Sequence, residues 1–316
     1  MSKKYAFLFP GQGAQAPGMV KNIAESFAAA KKVIDDISSI TGLDMAKLLW
    51  ESTPEDLARS DNSQIAITAA SLATMAALRE KGIEPSSAMG FSLGEFPALY
   101  AAGVLSFEDV IKVVRQRGII MQKVCEEIAA RNEGHAPGMT AVLGLTPDQV
   151  KALVEPIEDA YAANMNSLKQ TVVSGTFDAL AEVEKKAAEA GARRAVRLKV
   201  AGPFHSPLMQ DAAVEFEKFL SDVKFNDPKI NLFSNVTGGK VIDGDQAKKA
   251  AVLHLTHPVL WTDEEACLAD VIKAGDEWSV LEVGPGKVLS GLWGQTEFGA
   301  TLAAVPVNTA EGLSAL

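Results

Sequence analysis

Between a short apolar run, Ala88-Met89-Gly90, and a helix carrying Pro97 in its first turn, the chain has only Gly90-Phe91-Ser92-Leu93-Gly94 in which to turn. A strand here passes abruptly into a helix, and the turn has a defined mechanical consequence. It pushes the serine Oγ out of the sheet, while small residues two positions either side let the backbone pass close to itself. The helix N-terminus behind Ser92 offers free N–H groups and a positive dipole end to a developing oxyanion. The same five residues would also serve as an ordinary glycine-rich turn with an exposed serine, so the pattern alone does not make Ser92 catalytic.

The remaining pattern is α/β at both ends and different in the middle. Lys4 to Phe9 reads as a strand ending at Pro10-Gly11-Gln12-Gly13, followed by helical periodicity through Trp50 and again over Gln64 to Lys81. Ser106 and Asp109 form a capping pair that opens a helix from Phe107 to about Arg131. After the loop Asn132 to Gly138 come a strand (139–145), a helix from Pro147, two strands (162–166 and 171–174), a charged helix (178–190) and a strand (194–198). That order, β-α-β-β-α-β, is ferredoxin-like. Strands near 230–233 and at 280–283 return the chain to α/β character.

With 40 acidic against 30 basic residues, the net charge of −10 argues against non-specific binding to nucleic acid. An anionic ligand is still compatible, provided positive charge is concentrated locally. The apolar run Tyr5 to Phe9 is too short for a signal-peptide core, and Ile65 to Leu78 is too short and too rich in hydroxyls to span a membrane. The two cysteines, Cys125 and Cys267, make no metal or redox spacing, which predicts reduced core thiols and a cytoplasmic location.

On the helix from Phe107, an apolar stripe runs through Val110, Val113, Val114, Met121, Val124, Cys125 and Ile128, with Arg117 at its centre. A buried guanidinium needs an anion, either a structural carboxylate or the carboxylate of a substrate. Its planar fork suits bidentate capture of such a group. Of the four histidines, His135 sits in the Gly/Pro loop, and His254 and His257 read as a surface helix rather than a metal site. His205 lies in Ala201-Gly202-Pro203-Phe204-His205-Ser206-Pro207, a turn-rich segment after a strand-like run, where catalytic groups commonly sit.

Taken together, these segments resemble the malonyl-CoA:acyl-carrier-protein transacylases, a family that includes the acyltransferase domains of polyketide synthases. The resemblance rests on Phe9-Pro10-Gly11-Gln12-Gly13-Ala14-Gln15, Ser92-Leu93-Gly94-Glu95, Arg117-Gly118 with Met121-Gln122, and Val172-Val173-Ser174-Gly175. It continues through Pro203-Phe204-His205-Ser206-Pro207-Leu208-Met209, Pro258-Val259 with Trp261, and Glu282-Val283-Gly284-Pro285-Gly286-Lys287-Val288. It implies an α/β-hydrolase-like domain over 1–132 and 200–316, with a ferredoxin-like subdomain inserted at 133–199.

The resemblance also implies a ping-pong transfer of malonyl from coenzyme A to the phosphopantetheine thiol of an acyl carrier protein. Ser92 is then the nucleophile and His205 the base, oriented by the backbone carbonyl at Leu260. Gln12 and Leu93 supply the oxyanion-hole N–H groups, and Arg117 holds the malonyl carboxylate. Phe204 matches the phenylalanine of malonyl-selective members. The implied enzyme is a monomer with no metal and no cofactor. Two departures stand out: Phe91 replaces the histidine usual before the nucleophile, and Asn166-Ser167-Leu168-Lys169-Gln170 replaces Ser-Pro-Gly-Gln. Arg193, Arg194, Arg197 and Lys199 form a candidate docking patch for an acidic carrier protein. A serine hydrolase and a non-catalytic acyl-CoA or carrier-protein binding module are the competing readings.

Overall fold

The computed structural model describes residues 3–132, 134–273 and 277–316. Glu133, where the boundary expected after residue 132 falls, lies outside them. Strand β1 (Lys4–Phe9) is flanked by β2 (Ser87–Gly90) and β8 (Trp278–Val283), with β7 (Asn231–Leu232) and β9 (Ala304–Val307) at the edges. All four pairings of this five-stranded sheet are parallel. Parallel strands are covered on both faces, and β1 shows why its sequence is apolar throughout. Phe7 and Phe9 enter one core cluster while Ala6 and Leu8 enter another, as the alternation of a strand requires. The edge strand β9 was not foreseen; its four residues, Ala304-Val305-Pro306-Val307, include a proline that masks the strand signal.

A second, antiparallel sheet is formed by β3 (Gly138–Leu143), β4 (Ala160–Ser167), β5 (Gln170–Gly175) and β6 (Arg194–Arg197), in the order β4-β5-β3-β6. That is the ferredoxin-like arrangement expected from the element order. Helices Pro147–Val154 and Phe177–Glu189 cover one face, closing a core of Val142, Val150, Val173, Leu180 and Val183. A capping box at Thr146 and Gln149 starts the first of these helices. The antiparallel sheet is tied at β4 to the segment before the helix Trp261–Ile272, where Met165 N–H donates to the Val259 carbonyl at 3.0 Å and Val259 N–H to the Ala163 carbonyl at 2.8 Å.

The helix Ser60–Glu80 is buried along most of its length, which explains its membrane-like composition. Among the described residues no helix is long and apolar enough to cross a membrane. The helix Phe107–Arg131 packs on it, capped by Ser106, whose Oγ accepts from Asp109 N–H at 3.0 Å. Cys125 is buried and Cys267 half-buried, and both are free thiols.

Candidate active site

In an open parallel sheet, ligands gather beyond the carboxyl ends of the strands. Here the ends of β1 and β2 lie side by side, Phe9 opposite Gly90, so the turns beginning at Pro10 and Phe91 emerge together. The glycines make this contact possible. A Cβ on Gly94 would collide with the backbone carbonyl of Phe9, and one on Gly90 with that of Gly94. Ser92 stands between them with φ of 50°, a left-handed conformation that costs a non-glycine residue energy and persists only where the surroundings enforce it. A single 3₁₀ turn, Ser92–Gly94, then leads into the helix Glu95–Ala101.

The Oγ of Ser92 lies 2.8 Å from Nε2 of His205. His205 is also left-handed, with φ of 58°, and its loop is anchored on both sides. The Ser174 hydroxyl on β5 donates to the Phe204 carbonyl, and the Ser206 hydroxyl donates to the Pro203 carbonyl at 2.6 Å. The second sheet therefore helps to hold the histidine that faces the turn of the first.

On its other side, His205 Nδ1 lies 2.8 Å from the backbone carbonyl of His254. This corrects two expectations. The orienting carbonyl is not that of Leu260, which accepts instead from the N–H groups of Asp263 and Glu264 and so starts the helix Trp261–Ile272. Nor is His254 a surface residue, for it is fully buried at the end of the helix Gly244–Leu253; of these two histidines His257 is the exposed one. Because a carbonyl can only accept, His205 carries its proton on Nδ1 and presents a bare Nε2 to the serine hydroxyl. Burial, reinforced by the positive charge of Arg117, pushes His205 down to about 4, so the ring is neutral at physiological pH.

A cavity of about 330 Å³ opens over this pair, walled by Gln12, Phe91, Met121, Asn166, Phe204 and Leu198. Phe91 turns its ring edge-on to Trp261, with centroids 5.4 Å apart, so the apolar residue before the serine is packed as well as exposed to the cavity. Leu93 is buried in the 3₁₀ turn, whose first N–H groups have no acceptor within the turn itself.

Arg117 is 1% exposed. Its Nη1 donates to Gln64 Oε1 at 2.6 Å, and the guanidinium carbon lies 5.3 Å from the centre of the Phe96 ring. Nε and Nη2 are buried without a partner, and no ion pair reaches Arg117 among the described residues. Burial pushes the guanidinium down to about 9 against the attraction of Glu95. Arg117 does not itself line the cavity; Met121, one turn further along the same helix, does.

Several groups in the site were not singled out from the sequence. Asn235, Glu264, Glu95 and His254 form a buried polar cluster directly behind Ser92. Glu264 carried a readable signal: like Arg117, it is a charged residue on a helix face shared with apolar ones, here Trp261 and Leu268. Asn235 carried none beyond its place after a strand-like run. Glu282 caps the helix Val288–Trp293 with both oxygens, accepting from Leu289 and Ser290 N–H at 3.0 and 2.7 Å. In the basic patch, Arg197 is already engaged by Glu184 at 2.8 Å, leaving Arg193, Arg194 and Lys199 exposed. Among the described residues no group of His, Cys, Asp and Glu is arranged to hold a metal ion.

Fold and site together define an acyltransferase, and the chain belongs to the acyl transferase domain family, which it matches over residues 6–289. Its relatives within that family are malonyl-CoA–acyl carrier protein transacylases. The malonyl CoA-acyl carrier protein transacylase of Bacillus subtilis (strain 168) is 36% identical over 293 residues, covering 92% of this chain and 89% of that protein. An acyl carrier protein S-malonyltransferase from Vibrio cholerae O1 biovar eltor str. N16961 superposes with a TM-score of 0.88 at 35% identity, covering 99% of each chain. A malonyl-transacylase solved in complex with its type II PKS acyl-carrier protein superposes equally well, with a TM-score of 0.88 at 31% identity over 99% of this chain and 98% of that one.

Proposed function

We propose that this enzyme moves a malonyl group from coenzyme A to the phosphopantetheine thiol of an acyl carrier protein through an ester on Ser92. The observation that carries the reading is the 2.8 Å contact between Ser92 Oγ and a neutral His205, itself held by the His254 carbonyl. In the first half-reaction His205 Nε2 takes the hydroxyl proton as Oγ attacks the thioester carbonyl. The oxyanion settles on the N–H groups of Gln12 and Leu93, each worth about 3 kcal/mol in the transition state. The intermediate collapses, the C–S bond breaks, and the proton on Nε2 passes to the departing coenzyme A thiolate. In the second half the carrier thiol gives its proton to Nε2 and attacks the ester, and Ser92 recovers the proton as it leaves.

Arg117 is the group this reading assigns to the malonyl carboxylate, because two of its donors are buried and unused. Phe204 and Phe91, each next in sequence to one member of the dyad, both line the pocket this reading assigns to the acyl group. The chain's own residues supply every step, so no cofactor is invoked. The monomer implied by the family resemblance belongs to the same reading. The expected division into 1–132 with 200–316, and 133–199, belongs to this reading, since all four strands of the antiparallel sheet fall in the second segment. Two free thiols accord with a cytoplasmic setting.

The test is intact-mass measurement after acid quench, with malonyl-CoA and acetyl-CoA offered separately. A malonyl adduct that is lost in Ser92→Ala and weakened in Arg117→Ala is the expected result. Equal loading by acetyl would remove the selectivity for malonyl. Free coenzyme A accumulating without any adduct would point to a hydrolase instead.

A further inference from the structure

Ser92 and His205 come from segments more than a hundred residues apart, and both sit in left-handed backbone that nothing local favours. One side chain touches the supports of both. Asn235 is fully buried on the turn after β7. Its Oδ1 accepts from the Ser92 backbone N–H at 2.7 Å and lies 2.9 Å from His254 Nε2. Its Nδ2 donates to the Gly90 carbonyl and to Glu264 Oε1, each at 2.7 Å. Its backbone N–H donates to Glu95 Oε2 at 2.9 Å, and its backbone carbonyl accepts from Leu260 N–H at 2.8 Å.

The orientation of this carboxamide admits no flip. A backbone N–H at Ser92 can meet only the oxygen, and a backbone carbonyl at Gly90 can meet only the NH₂ group. With Oδ1 so placed, His254 must carry its proton on Nε2. Its ring is thereby fixed, and so is the carbonyl of the same residue, the one that receives His205 Nδ1–H. A single amide thus bridges the two residues flanking the turn at the nucleophile and, through His254, aims the base.

We propose that Asn235 is the positioning residue that couples the two halves of the dyad, holding Ser92 in its left-handed turn and His254 in the place from which it orients His205. The inference rests on the reading of Ser92 and His205 as the reacting pair. It assigns Asn235 no contact with substrate, so its effect falls on the rate of acylation and not on malonyl-CoA affinity.

The experiment is single-turnover acylation of the full chain by malonyl-CoA, quenched in acid and read by intact mass, for the parent, Asn235→Ala and Asn235→Asp. Asp keeps the shape but sets a second oxygen against the Gly90 carbonyl and Glu264 Oε1, both acceptors, and that repulsion pulls the side chain away from Ser92 and His254, so it remains informative if Ala fails to fold. The expected result is an amplitude close to that of the parent, an unchanged concentration for half-maximal rate, and a rate constant lowered by about 100-fold, the scale of a misaligned reacting pair. A merely structural role would lower the amplitude, through loss of folded protein, and leave the rate constant of the surviving fraction within about tenfold of the parent. That outcome overturns the proposal. A Ser92→Ala control separates the two levels: an adduct that survives it refutes the nucleophile itself, whatever the Asn235 variants do.

Discussion

If the guanidinium of Arg117 is kept for a substrate carboxylate, the empty enzyme holds a buried charge without a counter-ion, and replacing Arg117 by methionine should make the protein more stable. The size of the effect follows from the site. Burial moves the guanidinium from 12.5 to about 9, a displacement equivalent to roughly 5 kcal/mol against the charged form. Methionine keeps much of the aliphatic packing but gives up the bond to Gln64 Oε1 and the position over Phe96, together about 3 kcal/mol. The remainder is a gain of about 2 kcal/mol, or about 3 °C in melting temperature for a chain of this size. The assay is thermal unfolding of Ser92→Ala and of Ser92→Ala with Arg117→Met, each with and without malonyl-CoA, so that ligand binds without reacting. Without ligand the double variant should melt higher. With malonyl-CoA the order should reverse, because only the arginine gains a partner. A double variant that melts lower than its parent without ligand would show that Arg117 is structurally satisfied, and would refute the argument for a carboxylate clamp.

The site also fixes how activity responds to acid. In its proposed role as base His205 must be neutral to accept the serine proton, and its pKa of about 4 keeps it so well below the range of an ordinary imidazole. The acylation rate should stay nearly flat from pH 8 to pH 5, where about nine-tenths of the ring is still neutral, and fall only near pH 4; a midpoint near 6.5 would contradict the buried, carbonyl-bonded base. Gly94→Ala places a Cβ against the Phe9 backbone carbonyl, and a loss of about 3 kcal/mol in denaturant unfolding is expected, together with loss of the Ser92 adduct. Charge reversal at Arg193 and Arg194, both exposed and unengaged by ion pairs among the described residues, should raise KM for the carrier protein and leave acylation by malonyl-CoA unchanged. An unaltered carrier KM removes that strand from the docking surface.

Much of this architecture could be read directly because local signals agreed with the tertiary outcome. The turn at Ser92 was legible since its glycines answer to contacts between backbones, and such contacts tolerate no other residue. Arg117 was legible because helical periodicity placed a charge inside an apolar stripe, and the structure buries it there. The carbonyl behind His205 was not legible. Backbone carbonyls are carried by every residue, so sequence cannot distinguish Leu260 from His254; the choice is made by which of two neighbouring helix ends still has a free acceptor. Leu260 lies at a helix N-terminus, and its carbonyl is consumed by that helix. His254 lies at a helix C-terminus, where the last carbonyls are left over.

That difference would let His205 act as the proposed base without a carboxylate beside it. A carboxylate partner would raise the basicity of His205 but would also sit close to Arg117 and compete for it with a malonyl group. The acids that are present lie behind the dyad and are held back electrostatically: burial raises Glu95 to about 7 and Glu264 well above its ordinary value. Both shifts disfavour the charged carboxylates, so the acids behind the dyad offer the guanidinium of Arg117 less than a full counter-charge. The carbonyl of His254 fixes the tautomer of His205 without adding negative charge. Weakly charged support behind the serine and an incompletely matched cation near it form one electrostatic arrangement, suited to a thioester whose acyl group brings its own carboxylate.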